Sequence, residues 1–213
     1  MNAADPIRTV AALYVDVERG PYASMAGVEC YGVERDARLY DGPHPVVAHP
    51  PCNAWGSYRM FRLMAQRRHG WGRDEMDRDA IGMQCGPHAV EQVRRFGGVL
   101  EHPAGSQLWP YCTLPAAGGM LSDRWGGVTV EIDQGAFGHP CPKRTWLYVV
   151  GAEPAELMGE PRCDPGGRVQ SQWSTKRHLT PGTLAELLIQ LARRCEPGVQ
   201  FETDDREQTR IGA

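Results

Sequence analysis

The run Pro45-Val46-Val47-Ala48 is apolar at every position. It does not alternate, so neither of its faces is prepared for water. Such a run suits a parallel strand covered on both faces, and parallel strands need crossover connections, usually helices. Residues 9–17 (TVAALYVDV) also read as a buried strand, and residues 28–33 (VECYGV) as a second short one. Arg19-Gly20-Pro21 and Asp41-Gly42-Pro43 are turns between them. Residues 79–96 have helical spacing through Ile81, Met83, Ala89, Val90 and Val93. Gly86-Pro87 is a place where that helix could break, and Gly97-Gly98 is its stop. Val99-Leu100 then leads into Glu101-His102-Pro103, and residues 128–133 and 145–150 read as further strands. Thr180-Pro181 opens a second helix through Leu184, Leu187, Leu188 and Leu191, whose leucine stripe reads as core. The alternation predicts an α/β domain with a mainly parallel sheet over residues 1–196, followed by a polar tail over 197–213.

The chain has 213 residues, of which 41% are hydrophobic and 23% charged, enough for one real core. A formal net charge of −3 advertises no global basic field. A local basic patch is still available: Arg67, Arg68, Arg73 and Arg78 lie in a stretch that reads as a loop and could grip phosphates, though Asp74, Glu75, Asp77 and Asp79 dilute it. No apolar run reaches the length a membrane span needs, so no membrane partner is expected. The first residues lack the basic-then-apolar pattern of a signal peptide. Seven cysteines at wide intervals do not look like a disulfide framework, and the expected home is a reducing cytoplasm.

In an open α/β sheet, ligands bind outside the carboxyl ends of the strands. Cys52 sits at one such end, behind Pro50-Pro51, and Glu101 sits at another. Read alone, Cys52 is a nucleophile, a metal ligand or a small apolar residue at a turn. His49 with Cys52, and Cys85 with His88, have His-x-x-Cys and Cys-x-x-His spacing, which is zinc-like. A zinc site would make Cys52 a ligand and remove it as a nucleophile.

The ordered set Pro50-Pro51-Cys52, then Glu101-His102-Pro103, then residues 137–151 (FGHPCPKRTWLYVVG), then Arg177, Leu179 and Thr180 resembles the C5-cytosine DNA methyltransferases. In that family Pro-Pro-Cys follows an apolar strand, and Glu-Asn-Val follows the next. A Tyr-Gly-Val-Pro-Gln-x-Arg-x-Arg segment and an Arg-x-Leu-Thr-x-x-Glu helix come after. The likeness is to compact, phage-type members without a target-recognition domain. It implies a trimmed Rossmann-like methyltransferase fold acting on DNA or a pyrimidine nucleotide, with S-adenosylmethionine as donor.

By the resemblance Cys52 adds as a thiolate to C6 of a flipped pyrimidine, and Glu101, able to carry a proton, acts at N3. Lys143 or Arg144 takes the family's first arginine. Pro51, Asn53, His102, Gln134 and His139 would line the base pocket. Asp16, Gly20 and Glu34 would hold the cofactor. The chain departs from the pattern after its first strand, where Asp16 to Tyr22 carries one glycine and the family has several. Two other readings therefore stand beside methyl transfer: the same cysteine adduct with another electrophile, and a binding module that keeps the fold without the chemistry. Whether Tyr22 fills the space beside Cys52 separates them.

Overall fold

The computed structural model describes residues 7–56, 59, 64, 70, 72–118, 121–157 and 179–199. Arg67, Arg68 and Arg177 lie outside them. Six strands form one sheet: β1 (Val10–Leu13), β2 (Val28–Tyr31), β3 (Val46–Ala48), β4 (Gly98–Pro103), β5 (Val128–Asp133) and β6 (Arg144–Val150). Their order is β2-β1-β3-β4-β6-β5. β2, β1, β3 and β4 run parallel, while β6 is antiparallel to both β4 and β5. The sheet is therefore mixed, parallel on one side and antiparallel on the other.

Helices cover both faces, which explains the uninterrupted apolar runs. Helix α1 (Arg73–Phe96) packs Ala89, Val90 and Val93 with Ala11, Leu13, Val46, Ala48 and Leu100. The short helix α2 (Leu108–Tyr111) adds Leu108 and Trp109 to the same cluster. Helix α3 (Gly182–Arg194) packs Leu184, Leu188 and Leu191 with Val10, Ala12, Val47, Val99, Leu147 and Val149.

Local expectations fail where packing outweighs propensity. α1 begins at Arg73, so Arg73 and Arg78 are helical and not part of a loop. It also runs through Pro87 without ending. Gly86 lets it come close to its neighbours, since a Cβ there would stand 2.7 Å from Trp55 Nε1 and 2.9 Å from Leu108 Cδ1. Tertiary contact of this kind is what overrides an unfavourable residue inside a helix. β1 stops at Leu13, well short of residue 17, because Tyr14 takes a φ of 61° and turns the chain out of the sheet. At the start of β4, Gly98 has a φ of +133°, and a Cβ there would run into the Val46 backbone, so only glycine allows β3 and β4 to meet. The start of the polar tail is tied down: the Gly198 N–H donates to Arg94 O, and just before the tail the Glu196 N–H donates to Gly151 O.

Candidate functional site

The strand order reverses between β1 and β3, so the crevice outside their carboxyl ends is the topological switch point of the parallel half. His49, Pro50, Pro51 and Cys52 leave the sheet there. The His49 N–H still donates to Leu13 O, which holds the chain beside β1. Pro51 is exposed and extended (φ −55°, ψ 122°), and a 3-10 turn over Cys52–Ala54 follows. The turn is anchored from below. Ala54 and Trp55 are buried, the Trp55 indole donates to Gly82 O of α1 at 2.9 Å, and the Gly56 N–H donates to Cys52 O at 2.7 Å. Cys52 itself is exposed. Asn53 turns toward α1, where a Cβ on Gly82 would stand 2.7 Å from its Oδ1. The result is an exposed cysteine on a loop fixed by two prolines and a buried tryptophan.

Glu101 sits on β4, the next strand, on the face covered by α3. Its side chain is buried and fully engaged. His49 Nδ1 lies 3.1 Å from Oε2, Gln134 Nε2 donates to Oε1 at 2.7 Å, and Lys143 Nζ stands 4.0 Å from Oε1. Gln134 also donates to Thr145 Oγ1 at 3.0 Å. The 3-10 turn Gln134–Phe137 that brings it there is capped by Asp133, which accepts the Gly135 and Lys143 N–H groups, each at 2.9 Å. On the far side of His49, Tyr22 Oη lies 2.7 Å from Nε2. The chain Tyr22–His49–Glu101–Gln134 thus crosses the carboxyl ends of the sheet without a break.

The charges follow from these contacts. Burial pushes the Glu101 carboxyl up, but the His49 hydrogen bond and the Lys143 and His49 charges outweigh it and hold it at about 2. Glu101 is therefore a carboxylate at neutral pH, where the resemblance implies a group able to carry a proton. Burial raises the Tyr22 phenol well above its ordinary range, and the Glu101 charge adds to the effect. Tyr22 thus stays a neutral hydroxyl.

The residues named from the sequence divide by the parity of their strands. Side chains alternate across a strand, so Lys143 and Thr145 share the Glu101 face while Arg144 and Trp146 share the opposite one. Lys143 is consequently the cation beside Glu101. Arg144 is exposed and held by Glu131 through two bonds, Nε to Oε1 at 2.8 Å and Nη2 to Oε2 at 2.9 Å. His102, next to Glu101 in sequence, also points the other way. It is completely buried, 6.4 Å from the Trp109 ring, and neither ring nitrogen has a hydrogen-bond partner among the described residues. His139 folds back on its own loop, with Nδ1 2.7 Å from Cys141 O. Glu101, Gln134 and Lys143 come together, with Cys52 on the neighbouring strand end, and Arg144, His102 and His139 do not join them.

S-adenosylmethionine, which the resemblance implies, does not fit the residues present after β1. A donor's carboxylate would need free backbone N–H groups in that loop. The Glu18 and Arg19 N–H groups instead donate to Asp16 Oδ1 at 3.0 and 2.9 Å, and the Gly20 N–H donates to Asp16 O at 3.1 Å. Gly20 serves this turn, since a Cβ there would stand 2.5 Å from Asp16 O. Tyr22, only 1% exposed, occupies the space on the α3 side next to His49. Glu34 is exposed beyond β2. Calorimetric titration is expected to show no binding of S-adenosylmethionine up to millimolar concentration, and micromolar binding would overturn this assignment.

The zinc alternative gains no geometry either. Among the described residues no group of three or more His, Cys, Asp and Glu side chains could hold a metal. His49 is engaged at both nitrogens, and His88 is exposed with Nδ1 on Gln84 O. Among the described residues no helix is long and apolar enough to cross a membrane.

His49 and Tyr22 are the site members that a sequence reading does not identify as partners of Glu101. The signal was in the register: Ala48 pairs with Leu100 in parallel, so the next residue of each strand, His49 and Glu101, must be neighbours. No protein-family model, no curated protein and no solved structure matches this chain.

Proposed function

We propose that the protein acts on a pyrimidine ring through a covalent adduct between Cys52 and C6, with Glu101 and Lys143 at the ring's polar edge. The substrate is a cytosine presented as an extrahelical base in DNA or as a nucleotide. The fold in this reading is a trimmed Rossmann-like methyltransferase domain. The six-stranded α/β sheet, with its switch point between β1 and β3, is compatible with that. One observation carries the proposal. The tetrapeptide His49-Pro50-Pro51-Cys52 leaves β3 with its first residue hydrogen-bonded to Glu101 of the adjacent strand at 3.1 Å, and with its last residue exposed. An exposed cysteine, a buried carboxylate and a cation thereby lie on or beside the neighbouring strands β3, β4 and β6.

The chemistry is balanced without a methyl donor. The Cys52 thiolate forms a bond to C6, the ring's electron pair moves to C5, and N3 takes a proton through Glu101. C5 then accepts a proton from water, loses its original one to water, and expels the thiolate as N3 gives its proton back. The net result in heavy water is exchange of the C5 hydrogen for deuterium. No oxidant, reductant or cofactor is required.

That exchange is the test. Single-stranded and duplex oligonucleotides and dCMP would be incubated with the protein in heavy water, and C5 deuterium read by mass spectrometry. Exchange above the uncatalysed background is expected, falling to that background in Cys52→Ala. A wild-type rate equal to background on all three substrates would sink the proposal. The closed turn over residues 16–20 favours a second reading, a binding module on the same fold. Base binding without exchange is the outcome that would select it.

A further inference from the structure

We propose that His49 is a positioning residue that supplies Glu101 with the proton it delivers to the pyrimidine, and that Tyr22 keeps His49 in place in both of its protonation states. This rests on the adduct chemistry proposed above and assigns the proton source that the chemistry needs. Three distances carry it: Tyr22 Oη to His49 Nε2 at 2.7 Å, His49 Nδ1 to Glu101 Oε2 at 3.1 Å, and Gln134 Nε2 to Glu101 Oε1 at 2.7 Å.

Glu101 is surrounded by donors. Its oxygens receive Gln134 and His49, and the Lys143 ammonium stands 4.0 Å away. A carboxylate so supported does not rest in its protonated form, because each of these donors favours the charge. A proton for N3 must therefore come through Glu101 from a neighbour. Gln134 has no proton to release, and Lys143 lies beyond hydrogen-bond reach. His49 is within reach and ends in the only imidazole among the described residues that touches Glu101.

The transfer runs in one line. His49, as imidazolium, gives its Nδ1 proton to Oε2 as the carboxyl passes a proton to N3 of the bound ring. The imidazole ends neutral, the ring carries the proton, and the thiolate addition at C6 consumes the ring's charge. When the adduct collapses the proton returns by the same path. Tyr22 suits both ends of this cycle because only Nδ1 gives up its proton. Nε2 keeps its own throughout, so the Tyr22 oxygen accepts from the Nε2–H in both states, with no movement of heavy atoms. Tyr22 is only 1% exposed, so water does not compete for this contact.

The titratable groups around His49 are few. Tyr22 faces it from the β1–β2 connection and Glu101 from β4, with Lys143 behind Glu101 at the start of β6. His102 lies on the opposite face of β4, Cys30 of β2 is a thiol whose ionisation burial opposes, and Cys52 is in the same loop as His49. Of these, only the imidazole is within hydrogen-bond distance of the Glu101 carboxylate.

Two measurements test the assignment. Nitrogen-15 spectra of the imidazoles report the relay directly, whether or not the protein turns over. A proton on Nε2, held by the Tyr22 oxygen, is expected for His49, and its signal should move in Tyr22→Phe. An Nε2 that carries no proton overturns the relay by itself. The second measurement is the rate of C5 exchange. His49→Asn keeps a donor to Glu101 but cannot hold the proton. Its kcat should drop about 10²-fold, while KM should change less than threefold. Tyr22→Phe should lower kcat less than His49→Asn does, again with little change in KM. An unchanged kcat in His49→Asn overturns the role of His49 and leaves the adduct chemistry standing. Absence of exchange in the wild type removes the adduct chemistry and the catalytic use of the relay together.

Discussion

With Glu101 replaced by glutamine, C5 exchange should fall on the order of 10³-fold while the chain still folds. Glutamine has the same shape and keeps one carbonyl oxygen toward Gln134 or His49. It cannot take a proton from His49 and pass it on, and it has no charge to offset positive charge on the ring or on Lys143. The same change costs stability, because the wild-type carboxylate receives a donated bond at 2.7 Å and a His49 contact at 3.1 Å in a buried setting. Hydrogen bonds to a charged group contribute more than neutral ones, so the loss should be roughly 2 kcal/mol. Exchange rates by mass spectrometry and unfolding in urea separate the two effects. A variant that exchanges within tenfold of wild type would remove Glu101 from the chemistry and leave it a structural carboxylate.

The second large effect concerns acid. His102 is buried with no partner among the described residues, and burial pushes its imidazole down from 6.5 to about 4. The unfolded chain takes up a proton below 6.5 that the folded chain refuses until about 4. The folded state is thus penalised progressively as pH falls through that window, by about 3 kcal/mol at its lower end. Glu101 acts in a lower window. Its carboxyl is held at about 2 against an ordinary 4.5, so the stability it lends is complete above 4.5 and is lost as pH falls toward 2. Denaturant titrations at intervals from pH 7 to 3 should therefore show stability falling from about pH 6.5 downward. His102→Leu should flatten the upper part of that fall and should not weaken the protein at pH 7, because the imidazole it removes makes no hydrogen bond there. If His102→Leu retains the full loss between pH 6.5 and 4, another group governs the transition.

Much of this molecule could be read from local pattern. The apolar run at Val46–Ala48 and the apolar core of β1 announced strands buried on both faces. The leucine spacing announced α3, and Gly97-Gly98 announced the end of α1. Its position after such a run puts Cys52 beyond the end of β3, whereas Glu101, expected at a strand end, lies inside β4 because β4 continues its ladder with β6 to Pro103. These features depend on side-chain periodicity, which is a property of neighbours in sequence. Residues 73–78 have the composition of a polar loop and Pro87 is a residue that breaks helices, yet both lie in one helix because its buried face packs on the sheet over Ala89, Val90 and Val93.

The choice between Lys143 and Arg144 shows where local pattern ends. They are adjacent, both basic, and both enter β6. Nothing in their sequence says which one meets Glu101. The decision comes from β6 inserting antiparallel between β4 and β5, in a register that pairs Glu101 with Leu147 and Asp133 with Arg144. That register turns Lys143 toward the carboxylate and sends Arg144 to Glu131. The same non-local pairing puts His49 against Glu101, and the β1–β2 connection delivers Tyr22 to the other side of the imidazole. The amino-acid sequence by itself therefore determined the α/β class, the strand that carries Glu101, the strand-end loop that carries Cys52, and the absence of a glycine-rich loop after β1. Only the tertiary structure decided that Glu101 is an ionised, fully engaged carboxylate with His49 and Tyr22 behind it. Periodicity acts between neighbours along the chain, whereas charge, burial and strand register are set by residues that meet only after folding.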